Sequence, residues 1–162
     1  MGPFQQKFQL VTKGPDETRL LGEAIGKAAA PGDVVLLIGE LGAGKTCLTQ
    51  GIARALGIKE YTLSPSFVLV REYQGRLPLY HIDLYRLHVT QEVVELGIDD
   101  YLFGKGVCVI EWADRAPQVM PAENMTVEIT VCAGEKRGVK LKATGERYSD
   151  MLHAIKSERD KE

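Results

Sequence analysis

A chain of 162 residues with 44% hydrophobic and 26% charged residues can bury a sizeable core and is too apolar to be a disordered segment. Its formal net charge of −2 and pI near 6.0 exclude a general electrostatic pull toward nucleic acid or an anionic membrane, so contact with RNA is expected to be indirect or confined to a local patch. No apolar run approaches the ~18 residues of a membrane span, no secretory pattern opens the chain, and Cys47, Cys108 and Cys132 lack pair or zinc spacing. A cytoplasmic location with free thiols is the expectation.

In chain order, Phe4 to Val11 alternates apolar and polar residues and predicts a half-buried strand. Pro15-Asp16-Glu17 opens a helix, with Asp16 as its cap or first-turn acid. Leu20, Leu21, Ala24, Ile25, Ala28 and Ala29 recur at helical spacing as its apolar face, and Pro31-Gly32 stops it. Asp33 to Ile38 is apolar without alternation, the pattern of a strand covered on both faces. A second helix, from Cys47 to Leu56, ends at Gly57, and its small residues Cys47 and Gly51 are expected to let it lie close to the sheet.

Ser64-Pro65-Ser66-Phe67 reads as a polar turn into a strand that ends at Tyr73. Gln74-Gly75-Arg76 then turns into a return strand, Leu77 to Asp83, with Pro78 at an edge or strand start. A short helix runs from Thr90 to Leu96 and closes at Gly97, and Gly106 to Glu111 is a second apolar strand. Met125 to Cys132 and Gly138 to Ala143 predict an antiparallel pair; Tyr148 to Lys156 predicts a last helix. The expected fold is a single α/β domain over residues 1–156, a three-layer P-loop NTPase-like arrangement with a mixed sheet, followed by a charged tail at 157–162.

Between the first apolar strand and its helix stands Gly39-Glu40-Leu41-Gly42-Ala43-Gly44-Lys45-Thr46, which fits Gly-x4-Gly-Lys-Ser/Thr at every constrained position. A phosphate chain must be met by many short donors with little bulk. Gly42 and Gly44 let the backbone curl with its N–H groups inward, and the helix that begins near Cys47 offers its positive end. Lys45 can then reach the β- and γ-phosphates, while the Thr46 hydroxyl can hold Mg²⁺.

Hydrolysis needs acids as well, placed by strand ends beside the loop. Asp83 ends Leu79-Tyr80-His81-Ile82, and Glu111 ends Val107-Cys108-Val109-Ile110; metal holding and water activation stay undivided between them. Ser66 lies where a switch segment would sense a γ-phosphate, although the residues by themselves favour a plain Ser-Pro-Ser turn. Trp112 can stack on a base or partner, or serve as structure. His81 reads as a core histidine, and Lys136, Arg137, Lys140 and Lys142 read as a solvated basic hairpin.

With these residues in place, the chain resembles the TsaE (YjeE) family of small P-loop ATPases of tRNA threonylcarbamoyladenosine synthesis. The likeness runs from about Asp16 to the Lys140 region. Its markers are the loop at 39–46, Ser-Pro-Ser-Phe at 64–67, His-Ile-Asp-Leu-Tyr-Arg at 81–86 and Glu-Trp-Ala-Asp-Arg at 111–115. Ser66 stands where the family usually has threonine, which keeps the hydroxyl and loses a methyl. The resemblance implies ATP and Mg²⁺ as ligands, with Asp83 and Glu111 as the metal-binding and water-activating acids and Ser66 as a switch hydroxyl. It also implies partners, a separate threonylcarbamoyltransferase subunit and its scaffold subunit, which carry most of the tRNA contact. One rival is a small-molecule kinase, disfavoured because Trp112 to Asn124 holds one arginine, Arg115, and two prolines rather than an arginine-rich lid. Another is a nucleotide-gated interaction module in which hydrolysis is incidental.

Overall fold

The first strand, β1 (Gln5–Thr12), alternates exposed and half-buried residues as its sequence predicts. It belongs to a computed structural model that describes residues 4–40, 42–59, 70–85, 87 and 90–161, without the Thr90 side chain. The sheet that follows is built from β2 (Val34–Ile38), β3 (Val70–Tyr73), β4 (Leu79–Asp83), β5 (Val107–Glu111), β6 (Asn124–Val131) and β7 (Arg137–Thr144). Among the described residues their order, with β1, is β1-β7-β6-β2-β5-β4-β3, seven strands in one mixed sheet. The helices are α1 (Pro15–Ala28), α2 (Lys45–Ala55), α3 (Thr90–Glu95), α4 (Ile98–Leu102) and α5 (Glu146–Arg159).

β2 lies between β5 and β6 and runs parallel to both, which is why its residues needed no polar face. Val35 and Leu37 pack with α1, α2 and α5 through Leu21, Ile25, Leu48, Ile52 and Leu152. Val34 and Leu36 face the other way, onto Val93, Ile98 and Leu102 of α3 and α4. Two helical layers therefore cover the sheet, and the C-terminal ends of β2, β4 and β5 open on one edge, where α2 begins.

Several details differ from the sequence expectations. The β6–β7 pair is antiparallel as expected, but β6 also joins β2 in parallel register, which seats the pair inside the sheet and puts β1 on its edge. Leu20 is 43% exposed, because the buried face of α1 is set by Thr18, Leu21, Gly22 and Ile25. Of the two roles expected for Asp16 the structure has the first-turn acid, bound to Arg19 at 2.7 Å, while the cap position falls to Gly14. Gly51 meets α1 rather than the sheet: a β-carbon there would stand 2.0 Å from the Arg19 carbonyl oxygen. α5 continues past Lys156 to Arg159, where Glu158 pairs with Lys27 at 2.7 Å. α4, and the 3-10 turns at Ala113–Arg115 and Pro117–Val119, were not anticipated. Ser64 to Phe67, the turn that contains Ser66, lies outside the described residues, as does Leu41.

Candidate functional site

The Gly-rich loop joins β2 to α2 as its sequence predicts, and α2 begins at Lys45, two residues before the expected start. Gly42 has φ of +79° and Gly44 of +112°, left-handed values that an L side chain resists. The helix start leaves the first-turn N–H groups of α2 without intrahelical acceptors, while Leu48 N donates to Gly44 O at 3.0 Å. Glu40 is exposed, Ala43 is buried, and Gly44, Thr46 and Cys47 are half-buried.

Lys45 is only 5% exposed. Its Nζ donates to Gly39 O and, at 3.0 Å, to Glu40 O, and it stands 4.1 Å from the centroid of the Trp112 ring. Burial lowers its pKa, against the opposing pull of Glu111, Asp83 and Asp114. The ammonium and both predicted acids thus share one electrostatic neighbourhood.

Strand pairing explains how the acids arrive there. β4 and β5 run parallel with Asp83 opposite Glu111, and each residue is buried, at 4% and 3% exposure. Alternation along β4 and β5 turns His81, Asp83 and Glu111 to the same face as Leu79, Val107 and Val109, which is the α1–α2 side. Asp83 Oδ1 accepts from Tyr85 N at 2.9 Å. Glu111 Oε2 lies 2.6 Å from His81 Nε2, within a pair sealed from solvent. Among the described residues no group of three or more His, Cys, Asp or Glu can hold a metal unaided. Two carboxylates with a threonine hydroxyl suit Mg²⁺, which takes its other ligands from phosphate and water.

Trp112 is half-buried and is, among the described residues, the one non-glycine with positive φ, at 59°. Its ring lies 5.0 Å from that of Tyr85, and the Arg115 guanidinium sits 5.5 Å from the Tyr85 centroid and 5.6 Å from that of Trp112. Trp112 N also donates to Leu37 O at 3.1 Å. Arg137 corrects the reading of its hairpin as merely solvated. Its Nε donates to Ala43 O at 2.9 Å and its Nη2 to Gly42 O at 3.3 Å, tying β7 to the Gly-rich loop. The sequence readings missed the His81–Glu111 bond, Tyr85 and Arg137. His81 and Tyr85 lie in the 81–86 marker, whereas nothing local singles out Arg137 among its basic neighbours.

A sheet with a parallel centre, a Gly-rich loop between its middle strand and the next helix, and a buried lysine among strand-end acids define a P-loop NTPase-type protein. The family model described as threonylcarbamoyl adenosine biosynthesis protein TsaE matches residues 12–139. The tRNA threonylcarbamoyladenosine biosynthesis protein TsaE of Bacillus subtilis (strain 168) is 41% identical over 145 residues, 89% of this chain and 90% of the relative. Its counterpart in Treponema pallidum (strain Nichols) is 40% identical over 132 residues, 82% of this chain and 98% of the relative. The crystal structure of Bacillus subtilis YdiB matches with a TM-score of 0.84 at 35% identity, covering 97% of this chain and 98% of that one. The chain belongs to the TsaE family, whose role is in the biosynthesis of threonylcarbamoyladenosine in tRNA.

Proposed function

We propose that the chain is an Mg²⁺-dependent ATP hydrolase of the cytoplasm, the ATPase subunit of tRNA threonylcarbamoyladenosine formation. It acts with a separate threonylcarbamoyltransferase subunit and its scaffold subunit, and meets tRNA only through them. The observation that carries this reading is the buried Lys45 at the start of α2, within the electrostatic reach of Glu111, Asp83 and Asp114. A cation buried with acids at a loop of this sequence is a site prepared for a charged ligand.

In this reading the backbone of Glu40, Leu41, Gly42, Ala43, Gly44, Lys45, Thr46 and Cys47 binds the phosphates. Lys45 exchanges the carbonyls of Gly39 and Glu40, which it holds now, for the β- and γ-phosphate oxygens. Thr46, Asp83 and Glu111 are the residues to hold Mg²⁺, and one of the two acids orients the attacking water. When bound there, Mg²⁺ supplies charge neutralisation on the phosphates. Trp112, whose ring lies against the Lys45 ammonium, is available to stack on the base or on a partner, and the Ser66 hydroxyl senses the γ-phosphate.

Among the described residues the segment after β5 holds two short 3-10 turns rather than an arginine-rich lid, which supports assigning the exclusion of water over the phosphates to a docked partner. Turnover by the isolated chain is therefore slow and rises when the transferase and scaffold subunits are added. Ser66→Ala lowers the stimulated rate while leaving ADP binding intact, since ADP has no γ-phosphate. Steady-state phosphate release with and without the partners is the test; equal rates, or a fully stimulated Ser66→Ala variant, count against this mechanism.

A further inference from the structure

We infer that His81 is a positioning residue for Glu111, fixing which carboxylate oxygen that acid presents to the site. The inference rests on the reading of Glu111 as an acid that holds Mg²⁺. His81 is fully buried on β4, between Leu79 and Ile82, which are equally inaccessible. A leucine would fill such a place at less cost, because an imidazole in an apolar core must be hydrogen-bonded. One partner it meets is Glu111 Oε2, at 2.6 Å. With a proton on Nε2, the ring donates that bond to the carboxylate.

The geometry makes this a constraint on Glu111 rather than a simple core contact. A glutamate at a strand end has several rotatable bonds, and its two oxygens exchange by rotation. The bond to His81 ties Oε2 to the sheet interior and leaves Oε1 as the oxygen not engaged by the imidazole. The backbone is tied as well: Glu111 O accepts from Leu84 N at 3.1 Å. Asp83, opposite in register, is held separately by Tyr85 N. Side chains that orient a ligating carboxylate in this way typically change metal affinity by about 10- to 100-fold when removed.

The test is calorimetric titration of ATP into the full chain, once with Mg²⁺ and once with a chelator. His81→Leu is expected to cut the Mg²⁺-dependent gain in affinity by about tenfold or more while leaving metal-free affinity at the parent value. His81→Gln, whose amide can donate along the same direction, restores most of the gain. In a Glu111→Gln background, His81→Leu has no further effect on it. If His81→Leu does not fold, as judged by thermal melting, His81→Asn, too short to reach Glu111, takes its place. Equal losses with and without metal, absence of rescue by His81→Gln, or additive losses with Glu111→Gln overturn the inference and make His81 a packing residue. A parent chain whose ATP affinity ignores Mg²⁺ overturns the reading of Glu111 itself, and this inference with it.

Discussion

Gly51 offers a case in which two physical effects predict opposite signs. Helix propensity says that Gly51→Ala stabilises α2, by about 1 kcal/mol in a helix interior. The contact with α1 says the reverse. A β-carbon at Gly51 would stand 2.0 Å from the Arg19 carbonyl oxygen and 2.9 Å from the Glu23 nitrogen, where ordinary contact begins at 3.4 Å. Gly22 approaches α2 in the same way, its β-carbon position lying 2.1 Å from the Leu48 carbonyl oxygen. Every one of these obstacles is backbone, so no side chain can rotate away and the helices must part by roughly 1 Å. Overpacking of this kind costs about 1–3 kcal/mol, and rigid obstacles put it at or beyond the upper end. The net effect is destabilisation of about 2 kcal/mol, or roughly 4–8 °C in Tm for a chain of this size. Because α2 begins at Lys45, the displacement also weakens ATP binding. Thermal unfolding followed by circular dichroism, with ATP titration of the folded variant, checks both. A variant that melts at or above the parent temperature would show that propensity, not the helix contact, governs this position.

Lys45→Ala removes the ammonium assigned to the β- and γ-phosphates; at about 1.5–3 kcal/mol for a charge-assisted bond, ATP affinity falls about ten- to a hundredfold. Unchanged affinity in a calorimetric titration would mean that the loop is not the site. Cys108 provides a pH-dependent prediction, since burial raises its thiol pKa from 9.0 to about 12. The unfolded thiol ionises first, so this contribution to stability is complete below 9.0 and is lost as pH rises toward about 12. A short alkylation pulse at neutral pH should label the exposed Cys132 and spare Cys108; equal labelling by mass spectrometry would contradict the burial.

What was legible in the sequence had local causes. β2 and β5 were readable because burial on both faces demands an uninterrupted apolar run, and Asp83 and Glu111 because an acid at the end of such a run is conspicuous. Their convergence followed from the parallel register of β4 and β5. What escaped depends on pairing across the chain. Gly51 looked like a sheet contact because a small residue announces a close neighbour without saying which. β6 carried no mark of its parallel bond to β2, since its alternation satisfies its antiparallel partner. The Arg137 contact to Ala43 O spans 94 positions, so a basic hairpin read by itself looked solvated. His81 was placed correctly in the core, but its bond to a site acid required knowing that β4 and β5 are neighbours.

Phosphate release from ATP by the parent, Asp83→Asn and Glu111→Gln chains, with Mg²⁺ and the transferase pair present, tests the central claim most directly. The nucleotide affinity of each should be measured alongside. Both substitutions keep side-chain size and delete one charge, so they separate binding from chemistry. The variant that loses the water-activating acid is expected to hydrolyse about 10²- to 10⁴-fold more slowly. The other also slows, through weaker metal holding, and both keep nucleotide affinity far better than rate. Hydrolysis by both variants at the parent rate would contradict the account and leave Asp83 and Glu111 as buried strand ends.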